Sequence, residues 1–422
     1  MSDDPDSIRA LLLAALHAPD PAVQTLVHAV RATCDDPAQT DDAKAAHIDL
    51  LIAQAYTHLA RAGRAADDAA LLFAWRRLHT DACILGALVS PPAAAIAKLD
   101  TAIILSGAAG DGRLDLVLAL IQRIQAAHWP APAPFDASPP PSQSHAVPPR
   151  TLPAPPIPAR APPSLAAFQA HAHTAPFILR GYAVPWPALT TRPWASRTYL
   201  RATAGPARLV PVEVGADYRA PDWSQRLVPF DAFLAALDAD VTSGEAPLYL
   251  AQHDLLLQFP ALRADIAVPD YVYADLPRPP GCAPPANPEQ LVVNVWMGPK
   301  GTVSPAHTVR PLPFLSFFLQ IAGHKTVWAA PPACRAALDA PPGGNTARVD
   351  VFAPDCAVYP KFAALVAGAG ARVDGDRARV DGNATSGAMS ATLAPGDVLY
   401  LPAGWWHAMR AEERSCSVSM WF

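Results

Sequence analysis

The stretch Gly301–Trp328 reads GTVSPAHTVRPLPFLSFFLQIAGHKTVW and contains two apolar runs joined by a tight turn. His307 stands at the mouth of the first run, and Lys325 follows the turn at Gly323. Short apolar runs bounded by Pro and Gly are typical of strands in a sandwich or jelly roll. The stretch therefore predicts two strands that position a histidine and a lysine.

Similar runs recur from Ser164 to Phe422. They are rich in Val, Leu, Phe, Tyr and Trp and are bounded by Pro, Gly or Asp, as in APFILRGY, RLVPVEV, LYLAQH, LVVNVWM, DVLYLP and SCSVSMWF. Many short strands with such turns indicate a jelly roll rather than a parallel sheet. The segments SLAAFQAHAH and FDAFLAALDA predict helices at its flank. We expect one strand-rich domain over 164–422.

The residues before this domain predict two other parts. Up to residue 128, apolar residues recur at three- and four-residue spacing, as in HIDLLIAQAYTHLARAG and LDLVLALIQRIQAA. This spacing predicts an all-helical domain over 1–128, which we interpret as a scaffold or partner-binding module. Proline then alternates with Ala and Ser, so 129–163 is expected to be an extended linker. The fold class expected for the whole chain is α+β.

Composition narrows the classes of partner and compartment. The 422 residues carry a formal net charge of -5, which offers no general attraction to nucleic acid or to an anionic membrane. The N-terminus, MSDDPDSIRA, lacks the cationic start and apolar core of a signal peptide. Six cysteines without a CxxC pair argue against structural zinc and against a disulfide framework. We expect a soluble protein of the nucleus or the cytosol; its oligomeric state stays open.

Two histidines and a lysine have the pattern of an iron oxygenase built on a jelly roll. Such a site needs two imidazoles and one carboxylate on one face of the metal, which leaves positions for a 2-oxo acid and dioxygen. His307 follows GTVSP, and His407 follows PGDVLYLPAGWW, so each stands at a strand mouth after a Gly- and Pro-bearing turn. Lys325 either ends at an exposed turn or points into the barrel toward an anion.

Three stretches carry a resemblance to a known family. VNVWMGPKGTVSPAHT, QIAGHKTVW and LAPGDVLYLPAGWWHAMRA resemble the JmjC (Jumonji) branch of Fe(II)/2-oxoglutarate oxygenases, most closely the Jumonji-domain-containing protein five group, also called lysine demethylase eight. The resemblance extends over nearly the whole chain except the linker. It implies a JmjC/cupin-type double-stranded β-helix over 164–422, with Fe(II) and 2-oxoglutarate as cofactors. The implied substrate is a protein or peptide side chain that is hydroxylated or demethylated.

The resemblance also implies a role for individual residues. His307 and His407 match the metal-binding histidines, and no catalytic residue is implied beyond the metal ligands. The residues that match the 2-oxoglutarate pocket are Lys325, which binds the C5 carboxylate, with Ser304, Tyr249 and Trp296.

The chain departs from the family at the metal site itself. The family pattern is His-x-Asp-Pro followed by an Asn, whereas this chain has His307, Thr308 and Val309. No Asp, Glu or Asn stands between His307 and Lys325, and the interval is a few residues longer than is usual in the family. The triad carboxylate is therefore absent as the sequence stands, and little or no turnover is expected.

Three interpretations of Val309 stay open. In the first, the chain is a catalytically inactive JmjC-like protein-binding module, because two neutral imidazoles hold Fe(II) weakly. In the second, chloride or water fills the vacant position, as in halogenating relatives, although these typically carry a smaller Ala or Gly there. In the third, the segment from Val309 to Ser316 reflects a misplaced splice junction, since valine codons begin with GT and Pro, Leu, Phe and Ser have pyrimidine-rich codons.

Overall fold

The computed structural model describes residues 4–65, 68–130, 152, 154–170, 172–215, 217–238, 246–276, 290–309, 314–370 and 387–422. The chain divides into two compact units. Unit 1 comprises described residues within Met1–Pro134, Ala204–Val210 and Leu227–Asp231, and unit 2 those within Phe135–Thr203, Pro211–Arg226 and Ala232–Phe422. The three-part division expected from the sequence stays a prediction.

Unit 1 is built on helices, as the sequence predicts. Three of them begin at an aspartate, Asp4, Asp20 or Asp68, whose carboxylate accepts a backbone N–H of the first turn. In the first two of these helices a proline follows the aspartate, where its missing N–H costs nothing. The helices are α1 Pro5–Ala15, α2 Pro21–Asp35, α3 Asp41–Ala65, α4 Ala69–Leu88, α5 Pro92–Ser106 and α6 Arg113–His128.

A buried ion pair lies inside unit 1. Arg208 donates from Nε and Nη2 to the carboxylate of Asp100, at distances of 3.0 and 2.7 Å. The backbone N–H of Leu209 donates to the same carboxylate at 2.7 Å. Because Asp100 is fully buried and Arg208 is 5% exposed, this contact fixes residues 208–209 to α5.

Unit 2 is the strand-rich part, and its strands form two sheets. The strands of the chain are β1 Ala159–Arg160, β2 Phe177–Leu179, β3 Leu209–Val214, β4 Ser224–Pro229, β5 Leu248–His253, β6 Val292–Gly298, β7 Val303–His307, β8 Ser316–Ala322, β9 Lys325–Ala330, β10 Met389–Leu393, β11 Val398–Leu401, β12 Trp406–Ala411 and β13 Ser415–Trp421. The further helices are α7 Leu165–Ala170, α8 Arg197–Ala204, α9 Phe230–Ala236, α10 Leu255–Gln258 and α11 Pro360–Gly370.

The strand order is that of a jelly roll. Within the described residues, one sheet has the order β1-β2-β11-β8-β13-β6-β5-β3-β4 and the other β10-β9-β12-β7. Chain neighbours such as β8 and β9 lie in different sheets, so the chain crosses repeatedly from one sheet to the other. A buried apolar cluster with members on both sheets, including Phe318, Val327 and Leu399, forms part of the core. The α+β class and the double-stranded β-helix expected from the sequence are confirmed.

The tight turn between β8 and β9 does not join two paired strands, as the turn of a hairpin would. β8 pairs with β11 and β13, whereas β9 pairs with β10 and β12, so the turn joins two sheets. Gly323 has φ +68° there, and a Cβ atom on it would lie 2.0 Å from the carbonyl oxygen of Arg414. Only glycine fits this close approach. The turn therefore delivers Lys325 to the start of an inner strand.

The end of the proline-rich segment is part of the strand-rich unit. Ile157 donates its N–H to the carbonyl of Ser390, and Ser390 donates back to the carbonyl of Pro155, both at 2.9 Å. β1 then pairs in parallel with β2. The residues 131–151 and 153, which hold most of the predicted linker, lie outside the described residues. Among the helices that the structure describes, none has the length and apolar character needed to cross a bilayer.

Candidate functional site

The two histidines predicted to bind metal lie side by side. β7 and β12 are neighbours in the smaller sheet, and His307 stands directly opposite His407 in their antiparallel pairing. The ring centroids are 4.3 Å apart, with an angle of 52° between the ring planes. The fold thus brings together two side chains that lie far apart in the sequence.

Backbone contacts fix the tautomer of both imidazoles. Nδ1 of His307 lies 2.8 Å from the carbonyl oxygen of Pro305, and Nδ1 of His407 lies 3.2 Å from that of Trp405. A carbonyl only accepts, so each Nδ1 carries the proton and donates it. The lone pair of each ring is therefore on Nε2, as in histidines whose Nδ1–H is held while Nε2 binds a metal.

Burial keeps the two rings neutral. It lowers the pKa of His307 from its ordinary value of 6.5, and it is also the main cause that lowers the pKa of His407 to about 3. The neighbouring His307 ring lowers the pKa of His407 further. Neutral imidazole is the form that binds a metal, so near pH 7 both side chains are in the ligating state.

Lys325 lies inside the barrel rather than at an exposed turn. Its side chain is 2% exposed, and burial lowers its pKa from 10.5 to about 7. Nζ donates to the hydroxyl of Tyr249 at 3.4 Å and lies 5.3 Å from the ring centroid of Phe318. No carboxylate of the described residues forms an ion pair with Lys325. Among the described residues the barrel therefore holds a buried amine without a counter-charge, and a bound anion would favour its protonated form.

A small inner cavity lies beside these groups. Tyr249, Trp296, Ser304 and both histidines line it, and Lys325 lies one hydrogen bond behind the Tyr249 hydroxyl. The Tyr249 hydroxyl also forms a hydrogen bond with Ser304, and burial raises the pKa of the phenol. The indole N–H of Trp296 donates to Ser419 at 2.9 Å. Six further residues line the inner cavity and were not predicted from the sequence: Ser316, Phe318, Leu401, Met409, Ser419 and Trp421.

An outer cavity of about 230 Å³ shares four lining residues with the inner one. It adds Glu213, Tyr218, Gln252, Asn345 and Thr346, which the sequence reasoning did not select. Burial raises the pKa of the Glu213 carboxyl. Asn345 fixes the backbone after His307, because Thr308 donates its N–H to the Asn345 carbonyl and the Asn345 amide donates to the Thr308 carbonyl.

Comparison with known proteins gives the family. Residues 164–422 match the model of the cupin-like domain family. The chain belongs to this cupin-like JmjC family. It is 34% identical over 265 residues to Lysine-specific demethylase 8 of Xenopus tropicalis. The aligned segment covers 62% of this chain and 51% of the relative. The chain is 35% identical over 273 residues to Jumonji C domain-containing protein 5 of Drosophila melanogaster, covering 63% and 59%.

A plant relative matches as well. Lysine-specific demethylase JMJ30 of Arabidopsis thaliana is 32% identical over 250 residues, which cover 58% of this chain and 49% of the relative. This chain spans about half the length of the curated relatives it matches. The family recognised from the three sequence stretches is confirmed.

The residues of the site fit 2-oxoglutarate, one of the two cofactors that the family resemblance implies, better than they fit Fe(II). Lys325, Tyr249 and Ser304 provide a cation and hydroxyl groups for a dicarboxylate. For iron, the described residues contain no group of three His, Cys, Asp or Glu side chains able to hold a metal ion. Val309, in the carboxylate position, is half-buried, and residues 310–313 of the atypical segment lie outside the described residues. The donor set therefore does not fit the complete iron triad.

Proposed function

We propose that this JmjC domain binds a 2-oxo dicarboxylate, 2-oxoglutarate, together with a protein side chain. Its incomplete iron site keeps the corresponding oxidation, a hydroxylation or demethylation, at little or no turnover. The observation that carries the proposal is the buried Lys325, which has no ion pair among the described residues. The alternative is an inactive protein-binding module, which needs the outer cavity but no cosubstrate.

A buried ammonium group favours a bound anion. An unpaired charge in a protein interior is costly, and a carboxylate at hydrogen-bonding distance removes much of that cost. The hydroxyl groups of Tyr249 and Ser304 line the cavity in front of Lys325 and supply two further donors. The same cavity is lined by the histidine pair. A ligand with two carboxylates suits a cavity that has donors at several points of its wall.

The outer cavity supports a cationic side chain as the substrate. Its lining contains one carboxylate, Glu213, and no Lys or Arg among the described residues. A buried carboxylate is stabilised in its ionised form by a nearby cation. Two of the relatives carry the name lysine-specific demethylase, which fits a lysine side chain as the substrate. A protein or peptide partner and a nuclear or cytoplasmic location belong to this proposal.

Binding and turnover measured separately test the proposed function. Equilibrium dialysis of 2-oxoglutarate with the full chain, in the presence of a chelator, is expected to show saturable binding. Succinate formation after addition of Fe(II) is expected to stay at the level of a protein-free control. Absence of binding would leave the binding-module alternative, and succinate well above the control would contradict the incomplete iron site.

Replacement of Glu213 tests the cationic substrate. Glu213→Gln is expected to weaken binding of lysine- or arginine-containing peptides by roughly tenfold or more, because hydrogen bonds to charged groups are the strong ones. Binding of a peptide with norleucine in place of lysine is expected to change little. Affinity is measured by fluorescence anisotropy, with Glu413→Gln, which lies outside both cavities, as the matched control. Equal losses for both peptides would exclude Glu213 as the partner of the substrate cation.

A further inference from the structure

The donor atoms of the inner cavity differ in kind from those that hold iron in this family. Two neutral imidazoles present Nε2 lone pairs, and none of the described residues that line this cavity carries a carboxylate. Loss of the hard, anionic ligand weakens the binding of Fe(II) most directly. For nitrogen donors, the affinity of divalent ions rises from Fe(II) through Ni(II) to Cu(II), so two imidazoles alone favour Cu(II) over Fe(II).

A thioether lies on the same wall as the histidines. Met409 lines the inner cavity and is 5% exposed. It follows His407 by two positions on β12, and the pairing with β9 is regular there, with His407 opposite Ala329 and Met409 opposite Val327. The pairing of β12 with β7 shifts register between these two residues, but the extra residue is on β7, where His307 and Ser304 are the partners. Residues two apart on a regular strand face the same side of the sheet. Met409 and His407 therefore face the same side of β12.

Soft ligands separate copper from the other metals that imidazoles bind. Imidazole alone suits zinc, copper, iron and nickel alike, whereas an added sulfur ligand from Cys or Met favours soft ions such as Cu(I). The other polar side chains of the cavity wall, such as Ser304, Ser316 and Ser419, offer neutral hydroxyl groups. The set of two imidazoles and one thioether thus matches a soft monovalent ion.

We propose that His307, His407 and Met409 form a Cu(I) site in the inner cavity of this chain. The proposal does not rest on the proposed function, because Lys325 and a dicarboxylate take no part in it. On this proposal the altered site prefers a different metal, Cu(I), and is not simply a weak Fe(II) site.

The test is an anaerobic competition for Cu(I) against bicinchoninate, using the full chain. Thiols also bind Cu(I), so all proteins carry Cys356→Ser, which removes an exposed thiol, and Cys282→Ser, which lies outside the described residues. The parent is expected to hold one Cu(I) per chain more tightly than Zn(II) or Fe(II). X-ray absorption at the copper edge is expected to show a sulfur neighbour beside the imidazole nitrogens.

Matched variants identify the ligands. Met409→Leu is expected to weaken Cu(I) binding by roughly tenfold or more, to remove the sulfur neighbour and to leave Zn(II) binding unchanged. Met389→Leu is the control, since Met389 is equally buried in the same apolar cluster but does not line the cavity. His307→Ala is expected to weaken the binding of all three metals. Methionine and leucine differ little in volume, so both Met variants are expected to fold.

Several outcomes would overturn the site. They are failure of the parent to retain Cu(I) against the competitor, equal effects of Met409→Leu and Met389→Leu, and tighter binding of Fe(II) than of Cu(I). Lys325→Leu separates this proposal from the dicarboxylate site. Retention of Cu(I) after loss of 2-oxoglutarate binding supports the ligand set, and loss of both contradicts it.

Discussion

Replacement of Lys325 by leucine is expected to abolish 2-oxoglutarate binding and, at the same time, to stabilise the ligand-free protein. The two effects have one cause. Lys325 is 2% exposed and has no ion pair among the described residues, so in the absence of an anion the protein bears the cost of burying it. A leucine removes that cost, and it also removes the group that attracts the dicarboxylate.

The pH dependence of stability provides a second readout of the same residue. The pKa of Lys325 is about 7 in the folded protein and 10.5 as its ordinary value. Between these values the unfolded chain binds more protons than the folded one, so the free energy of unfolding rises with pH. Below about pH 7 both states are protonated and the penalty is constant. The stability of the wild type relative to Lys325→Leu is therefore expected to increase from about pH 7 to 10.5.

Urea unfolding at several pH values measures this difference, and dialysis measures 2-oxoglutarate. The slope is expected to approach about 1.4 kcal/mol per pH unit at most. Lys361→Leu, at an exposed lysine of α11, is the control and is expected to show neither effect. A variant that still binds 2-oxoglutarate, or a pH-independent difference in stability, would contradict the role of Lys325.

The local sequence around Lys325 does not determine whether its side chain is buried. A lysine after a glycine turn fits an exposed hairpin as well as a buried site, and local spacing does not distinguish them. The choice depends on pairing: β8 joins β11 and β13, while β9 joins β10 and β12. Those partners come from distant parts of the chain. The family resemblance, rather than the local pattern, predicted the buried position.

The cavity-lining residues that the sequence did not predict were missed for a similar reason. Alternation in β12 and β13 shows that every second residue shares a face, but it does not say which face lines a cavity. Met409 and Ser419 were therefore indistinguishable from core residues. Glu213 precedes β7 in the chain and Asn345 follows it, yet both line the outer cavity. By contrast, the three- and four-residue spacing that predicts the helices of unit 1 is local, and the caps of α1 and α2 likewise use only neighbouring residues.

Replacement of Val309 by aspartate is expected to raise Fe(II) affinity by roughly tenfold or more and to start succinate formation. A carboxylate two residues after His307 supplies the hard, anionic ligand that the two imidazoles lack. Position 309 lies in the connection between β7, which ends at His307, and β8, which begins at Ser316. Lys325 and Tyr249 are in contact as the chain stands.

Val309→Asn is the matched control for this change. It has nearly the same shape as the aspartate variant but no negative charge, so its Fe(II) affinity is expected to stay close to that of the wild type. Competition with a chromophoric Fe(II) chelator measures affinity, and succinate is measured with and without 2-oxoglutarate. If both variants behave like the wild type, the connection after His307 does not direct position 309 toward the metal. A gain with aspartate alone would show that one charge separates this chain from an active oxygenase, and it is then expected to shift metal preference from Cu(I) toward Fe(II).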